Sequence, residues 1–314
     1  MTEMIDCVCS VLLTYKMINY SIIIPHKNTP DLLQRCLNSI PHRDDVQIIV
    51  VDDNSDADKV DFEHFPGIGD QRVDVYFTKE GKGAGYARNV GMSHAKGKWL
   101  IFADADDWYL DNIGDAMDMY LNSEYDMLVF RQKRVDIYGV AKEGKYDKMF
   151  DVALDTGNLD DVKYFYACPY ARFIKREFVE NNNIEFQQVR YSNDVMFSLK
   201  VSLFAKRIKI IDEPIYCVFE SGNSLTRNNN NLKNYYVRTK VALDVCKYLN
   251  SIGDNFDYSP ILLSCYHNLL LASKLVAFCL LPKIYRYVGM KRIKTFIGEI
   301  LEKDYPKYYR ILKR

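Results

Sequence analysis

Neither sign of charge dominates this sequence: 42 basic and 42 acidic side chains cancel. That balance removes nucleic acid as the default partner. The eight cysteines include no CxxC pair, so no zinc site is expected, and the thiols read as reduced in a cytoplasmic protein. His26, His42, His64, His94 and His267 show no ligand spacing and read as structural or solvated. The first residues, MTEMIDCVCS, lack the basic and then apolar pattern of a secretory signal. Residues 1–19 are expected to be an N-terminal extension, of which 1–16 are not native, with Met17 as the natural start. The glycines of GKGAGYARNVG are out of register for GxGxxG and EGKG is no Walker A loop, so dinucleotide and P-loop readings fail. The apolar run at 261–282, ILLSCYHNLLLASKLVAFCLLP, is interrupted by His267, Asn268 and Lys274 and reads as a buried or interfacial helix rather than a span. The basic stretch after it, Lys283, Arg286, Lys291, Arg292 and Lys294, suits an anionic membrane surface and an ordinary solvated helix face equally.

What is present is enough apolar material, 48% of 314 residues, for a sizeable core and an appended subdomain. YSIIIP (20–25) and VQIIVVDD (46–53) are short β-branched runs that read as buried strands. Between them TPDLLQRCLNSI places Leu32, Leu33, Cys36, Leu37 and Ile40 on one helical stripe, with Asp31 at the favourable end. This makes a βαβ unit with a right-handed crossover and a parallel sheet. The alternation continues with a strand at 73–77, a helix at 84–96 and a strand over KWLIFADAD. Further on, a helix is expected around 112–122, a strand and turn over DMLVFRQKRVDIYG, a short helix over KREFVENNN, and a helix at 193–207 with Val195, Leu199, Ser202 and Leu203 inward. KIIDEPIYCVFE reads as one or two closing strands, and from 228 the pattern is helical.

Strand ends of such sheets deliver ligand-binding residues, and here they deliver carboxylates. Asp104, Asp106 and Asp107 crowd four positions after an apolar run. Like charges so close repel by a few kcal/mol at an effective dielectric near ~20, so a cation is expected among them. The D-x-D of Asp104 and Asp106 suits Mg²⁺ or Mn²⁺, which take one or two carboxylates and complete their shell from water and phosphates; a solvated acidic loop would read the same. One strand away, Asp53 can accept from the N–H of a uracil ring, while Asp52 reads as structural or ribose-facing. Arg88 is either a phosphate-side guanidinium or a surface arginine.

IIIPHKN, IIVVDDNS, GAGYARNVG, FADADD, the NDVMF helix start and PIYCVFESGNSLT, in this order, resemble the family 2 glycosyltransferases with the GT-A fold over about 20–227. The resemblance implies an α/β fold, Rossmann-like with a mostly parallel central sheet and flanking helices, plus a C-terminal helical subdomain. It implies that Pro25, Asn28 and Asp53 line a nucleotide pocket with Arg88, that Asp104 lies by the ribose and metal, and that Asp106 is the main metal ligand. Asp194 falls where the family carries its catalytic base; inverting transfer needs such a carboxylate to take the acceptor proton, although the same residue would also serve as a helix N-cap. Three positions depart from the family pattern: Lys27 replaces a usual tyrosine, Asn193 a usual glutamate, and Ser224 and Thr226 lack the basic residue often found before them.

The expected protein is thus a metal-dependent inverting glycosyltransferase of the hexosyl or N-acetylhexosaminyl class, using Mn²⁺ or Mg²⁺. It takes a UDP-sugar and passes the sugar to a glycan or lipid-linked acceptor, in cell-surface polysaccharide assembly at the inner face of a bacterial membrane. The expected domains are 20–227, catalytic, and 228–314, helical and forming the acceptor side or the membrane contact. A nucleotidyltransferase would need a glycine-rich, basic loop after the first strand, which HKNTPD does not supply. An inactive binding protein of the same fold should have lost Asp106 or Asp194, and both are present.

Overall fold

The computed structural model describes residues 17–220, 231–289, 292–293 and 295–296, which fall into two compact units dividing between the first two of these spans. In the first unit the order is β1 (Tyr20–His26), α1 (Pro30–Asn38), β2 (Val46–Asp53), β3 (Val73–Thr78), α2 (Ala84–His94), β4 (Trp99–Phe102), β5 (Trp108–Tyr109) and α3 (Ile113–Tyr120). It continues through β6 (Met127–Asp136), α4 (Asp147–Thr156), α5 (Asp160–Phe165), β7 (Arg172–Lys175), α6 (Arg176–Asn181), α7 (Val195–Phe204) and β8 (Ile208–Glu220). The strands form one sheet ordered β3-β2-β1-β4-β7-β6-β8-β5. Its first four strands are parallel, as the βαβ pattern requires, and β7 is antiparallel to both neighbours.

β1 and β2 are buried along their whole lengths, which explains their unbroken β-branched character. Both faces of the sheet carry core: Ile22, Ile24, Trp99 and Phe173 on one, and Ile23, Leu100, Phe102 and Phe197 on the other. The buried side of α1 is Leu33, Cys36 and Leu37, part of the expected stripe. α7 is shorter than expected, and it buries Met196, Phe197, Ser198, Leu199, Val201 and Ser202 while Val195 and Leu203 are only half-buried. A helix covered on more than one side has no single apolar stripe to read from sequence.

The chain leaves β1 towards β2 on one side and returns to β4 on the other. β1 is therefore where the strand order reverses, and a crevice opens at its carboxyl end. Pro25 marks the opening. The Ala103 N–H donates to the Ile23 carbonyl at 3.1 Å, after which β4 has ended. Two residues along β1, the N–H that proline lacks would point to the side β4 has left, so a proline fits in this central strand.

The second unit has α8 (Leu232–Ser251), α9 (Ser259–Ala272) and α10 (Lys274–Val288). The apolar run at 261–282 is broken at Ser273, whose side chain caps α10 by accepting from the Val276 N–H. No described helix is long and apolar enough to cross a membrane.

Candidate active site

The walls of the crevice are built from the loops after β1, β2 and β4. After β1, Asn28 adopts φ 59° and exchanges two hydrogen bonds with Asp56: its Nδ2 donates to Asp56 Oδ2 at 2.9 Å and its Oδ1 accepts from the Asp56 N–H at 2.8 Å. Beneath it, His26 Nε2 accepts from the Thr29 N–H at 3.1 Å, which leaves the proton on Nδ1 to donate to Asp52 at 2.8 Å. Ser55 donates both its Oγ–H and its N–H to Asp52. These donors hold the Asp52 carboxyl below the usual range despite burial. Asp52 is therefore a structural tie between two loops.

Asp53 differs. Its Oδ2 accepts from the Gly83 N–H at 2.8 Å, while its Oδ1 is buried without a hydrogen-bond partner. Burial raises this carboxyl's pKa. An orphaned buried acceptor costs about 1–3 kcal/mol until a donor arrives. Gly83 stands at φ 95°, open to glycine and not to a β-branched residue. Lys27, in the place of the family's usual tyrosine, folds back so that Nζ donates to the Asp53 and Asn54 carbonyls at 2.9 and 3.2 Å.

The three aspartates after β4 separate into distinct roles. Asp107 is buried and both its oxygens are engaged: Oδ2 accepts from the Tyr216 hydroxyl at 2.9 Å and Oδ1 from the Phe219 N–H at 2.7 Å. The same hydroxyl accepts from the Asp104 N–H at 2.9 Å, so β8 clamps the acidic turn. Asp104 Oδ1 accepts from Arg88 Nη2 at 2.5 Å. The Asp106 carboxylate receives no side-chain donor among the described residues, and burial with the neighbouring Asp104 charge pushes it up to about 6. One oxygen from each of the three lies within 4.8 Å of the others. An all-carboxylate set carrying excess negative charge fits a hard divalent cation. With Asp107 already satisfied, Asp106 and Asp104 are the residues left to hold one.

Arg35 was not singled out from the sequence. From α1 its Nη2 donates to the Asp106 carbonyl at 2.5 Å, and its guanidinium lies 4.5 Å from both the Trp108 and Phe219 ring centroids. Such a double stack fixes the plane of the fork and so the turn that it holds. No periodicity signals it, since it lies outside the apolar stripe of α1.

Arg88 is no surface residue, being 5% exposed. Its guanidinium lies 5.3 Å from the Phe186 ring centroid and bridges Asp104 to Asn193, whose Oδ1 accepts from Nη1 at 2.9 Å. The amide at 193 thus takes a hydrogen bond where a glutamate would form an ion pair. Next in the chain, Asp194 occupies the N-cap position of α7 but its side chain makes no capping hydrogen bond. Burial raises its carboxyl, the Arg88 charge opposing and the Asp104 charge adding to the shift. Gly85, in the first turn of α2, lets this loop approach: a Cβ there would lie 2.3 Å from the Gln187 carbonyl oxygen. Ser224 and Thr226 lie outside the described residues.

Comparisons with known proteins bear on the fold. The family model described as Glycosyl transferase family 2 matches residues 21–182. Among curated relatives, a poly(ribitol-phosphate) beta-N-acetylglucosaminyltransferase, TarS of Staphylococcus aureus, is 25% identical over 207 residues, 64% of this chain and 35% of TarS. EpsJ of Bacillus subtilis, described as an uncharacterized glycosyltransferase, is 26% identical over 227 residues, 66% of this chain and 62% of EpsJ. The chain therefore spans about a third of TarS and somewhat under two thirds of EpsJ. Among solved structures, TarS 1–349 in complex with UDP-GlcNAc superposes with TM-score 0.60 at 22% identity, over 87% of this chain and 80% of that one. The fold is accordingly GT-A, with helices added at the C-terminal side.

Proposed function

We propose a reaction for this chain, which belongs to glycosyl transferase family 2: it moves a sugar from a UDP-linked donor to a hydroxyl of a glycan or lipid-linked acceptor, inverting the anomeric carbon. The observation that carries the reading is the Arg88 guanidinium, which ties the acidic turn after β4 to the residue before Asp194. One buried cation thereby ties Asp104 of the acidic turn to the loop that carries the uncapped Asp194. The TarS structure with UDP-GlcNAc supports a nucleotide-sugar donor, and the mannosyltransferase PcManGT from Pyrobaculum calidifontis, in complex with GDP-Man and Mn²⁺, superposes with TM-score 0.50.

In this reading the nucleotide lies along Pro25, Asn28 and Asp53, with the free Oδ1 of Asp53 accepting the uracil N–H. Asp106 and Asp104 hold Mn²⁺ or Mg²⁺, which when bound neutralises the charge on the departing diphosphate. Arg88 is placed to meet the same phosphates or to keep Asp104 in position. Asp194 takes the proton of the acceptor hydroxyl as its oxygen attacks the anomeric carbon; the bond to the diphosphate breaks on the opposite face, and its electron pair leaves with the diphosphate. The raised pKa of Asp194 suits a base, since a more basic carboxylate takes a proton more readily.

We assign 20–227 to donor binding and chemistry, and 228–314 to the acceptor side and to peripheral contact with the inner face of the cell membrane. Of the basic residues expected to make that contact, Lys291 and Lys294 lie outside the described residues, and Arg292 is engaged with Asp257 and Ser259. The test is a panel of nucleotide sugars with lipid-linked glycan acceptors, followed by release of the nucleoside diphosphate. Asp194→Asn is expected to bind donor as the wild type does and to lose transfer. Retained turnover would reduce Asp194 to a structural residue.

A further inference from the structure

We propose that the outward face of α10 seats this protein on an anionic lipid bilayer. The inference sharpens the membrane contact of the proposed reading, but it stands on one helix and its test uses neither donor nor acceptor. α10 is apolar on two sides. Ala277, Leu280, Ile284 and Val288 are buried. On the opposite side Leu275 is 76% and Phe278 70% exposed, one helical turn apart. A single exposed leucine on a soluble protein needs no explanation. Two large apolar side chains one turn apart on a helix whose other face is already buried mark a surface awaiting apolar contact.

Charge decides what would cover it. At 100° per residue Lys274 and Lys283 fall on the two flanks of the Leu275–Phe278 stripe, and Arg286 lies further along the same face. α10 contains no acidic residue, and no hydrogen bond or ion pair engages these three cations among the described residues. An apolar ridge with basic flanks is the pattern of a helix lying in the headgroup boundary, its apolar side chains inserted and its cations against lipid phosphates. A second copy of this chain is a poorer occupant, because an isologous contact would bring the same uncompensated cations together.

The test is co-sedimentation of the full chain with vesicles of phosphatidylcholine alone and of phosphatidylcholine with phosphatidylglycerol. Stronger binding to the anionic vesicles is expected, weakened by salt. Leu275→Ser with Phe278→Ser should lower partitioning about tenfold or more. Lys274→Gln, Lys283→Gln and Arg286→Gln together should lower it on the order of a hundredfold on anionic vesicles and hardly at all on neutral ones, at about 1 kcal/mol for each cation. All five positions are on the helix exterior, so circular dichroism and UDP calorimetry should match the wild type. Absence of vesicle binding, or binding indifferent to these substitutions or to lipid charge, would overturn the proposal. So would a concentration-dependent dimer that the serine pair abolishes in protein that ignores vesicles.

Discussion

Asp106→Asn and Asp107→Asn change adjacent, near-isosteric side chains, yet the structure assigns them opposite effects on stability. The Asp106 carboxyl titrates at about 6 in the folded chain because burial and Asp104 oppose its charge. A folded pKa above the unfolded value of ~3.9 means that the ionised group destabilises the fold at neutral pH. At ~1.36 kcal/mol per unit the ceiling is roughly 3 kcal/mol, and solvent at this half-buried group reduces it to about 1–2 kcal/mol. Metal-free Asp106→Asn should therefore be more stable than the wild type by that amount above pH ~6. The gain should shrink as pH falls through ~6 towards ~4, where the wild type is protonated as well. Burial and the Asp104 and Asp106 charges push the Asp107 carboxyl up as well, so Asp107→Asn also removes a destabilising charge, but it breaks a hydrogen bond in doing so and a net loss is expected. Both Asp107 oxygens accept, and an amide turns one acceptor into a donor facing a donor, at a cost of about 1–3 kcal/mol. Urea denaturation in EDTA at two pH values measures both, with Mn²⁺ calorimetry alongside to show that only the Asp106 variant loses the ion directly. Equal destabilisation by the two substitutions, or a gain for Asp106→Asn that persists at low pH, would refute the division of labour among the three aspartates.

Arg35→Met should leave UDP binding in EDTA near wild type but weaken Mn²⁺ by several-fold, since the fork that holds the Asp106 carbonyl is gone; an unchanged Mn²⁺ titration would remove Arg35 from the site. Gly85→Ala should cost about 1–3 kcal/mol in thermal denaturation, because a methyl group there meets the Gln187 carbonyl, and wild-type stability would show that the 187–193 loop yields freely. Asp53→Asn should lower uridine affinity by about 10- to 100-fold, as a donor would then face the ring N–H, while leaving binding of bare diphosphate unchanged; equal loss for both would place the defect outside base recognition.

The half of the sheet that shapes the crevice was legible because its strands are buried on both faces and its crossovers are short, so composition and periodicity agree. β1, β2 and β4, and the carboxylates at the ends of β2 and β4, followed from that pattern. What sequence could not give are pairings made at long range. Asp107 carries the same carboxylate as Asp106, and only the approach of Tyr216 and Phe219, more than a hundred residues away, makes it a strut. Arg88 reads equally as surface or site until Phe186 and Asn193 are seen around it. Arg35 shows no pattern at all, since its function lies in a carbonyl and two rings from other segments. The polar stretch 139–157 contains α4, whose buried Phe150 and Ala153 supply too short an apolar stripe to stand out.

The crevice at the carboxyl end of β1 is proposed to bind a uridine nucleotide through a divalent ion on Asp106. Calorimetric titration of UDP into wild type and Asp106→Ala, each with and without Mn²⁺, tests it most directly. Mn²⁺ is expected to strengthen UDP binding to the wild type by tenfold or more, on the order of 1.4 kcal/mol, and the variant is expected to lose this increment while keeping its weak metal-free binding. The same affinity and the same metal dependence in both proteins would contradict it.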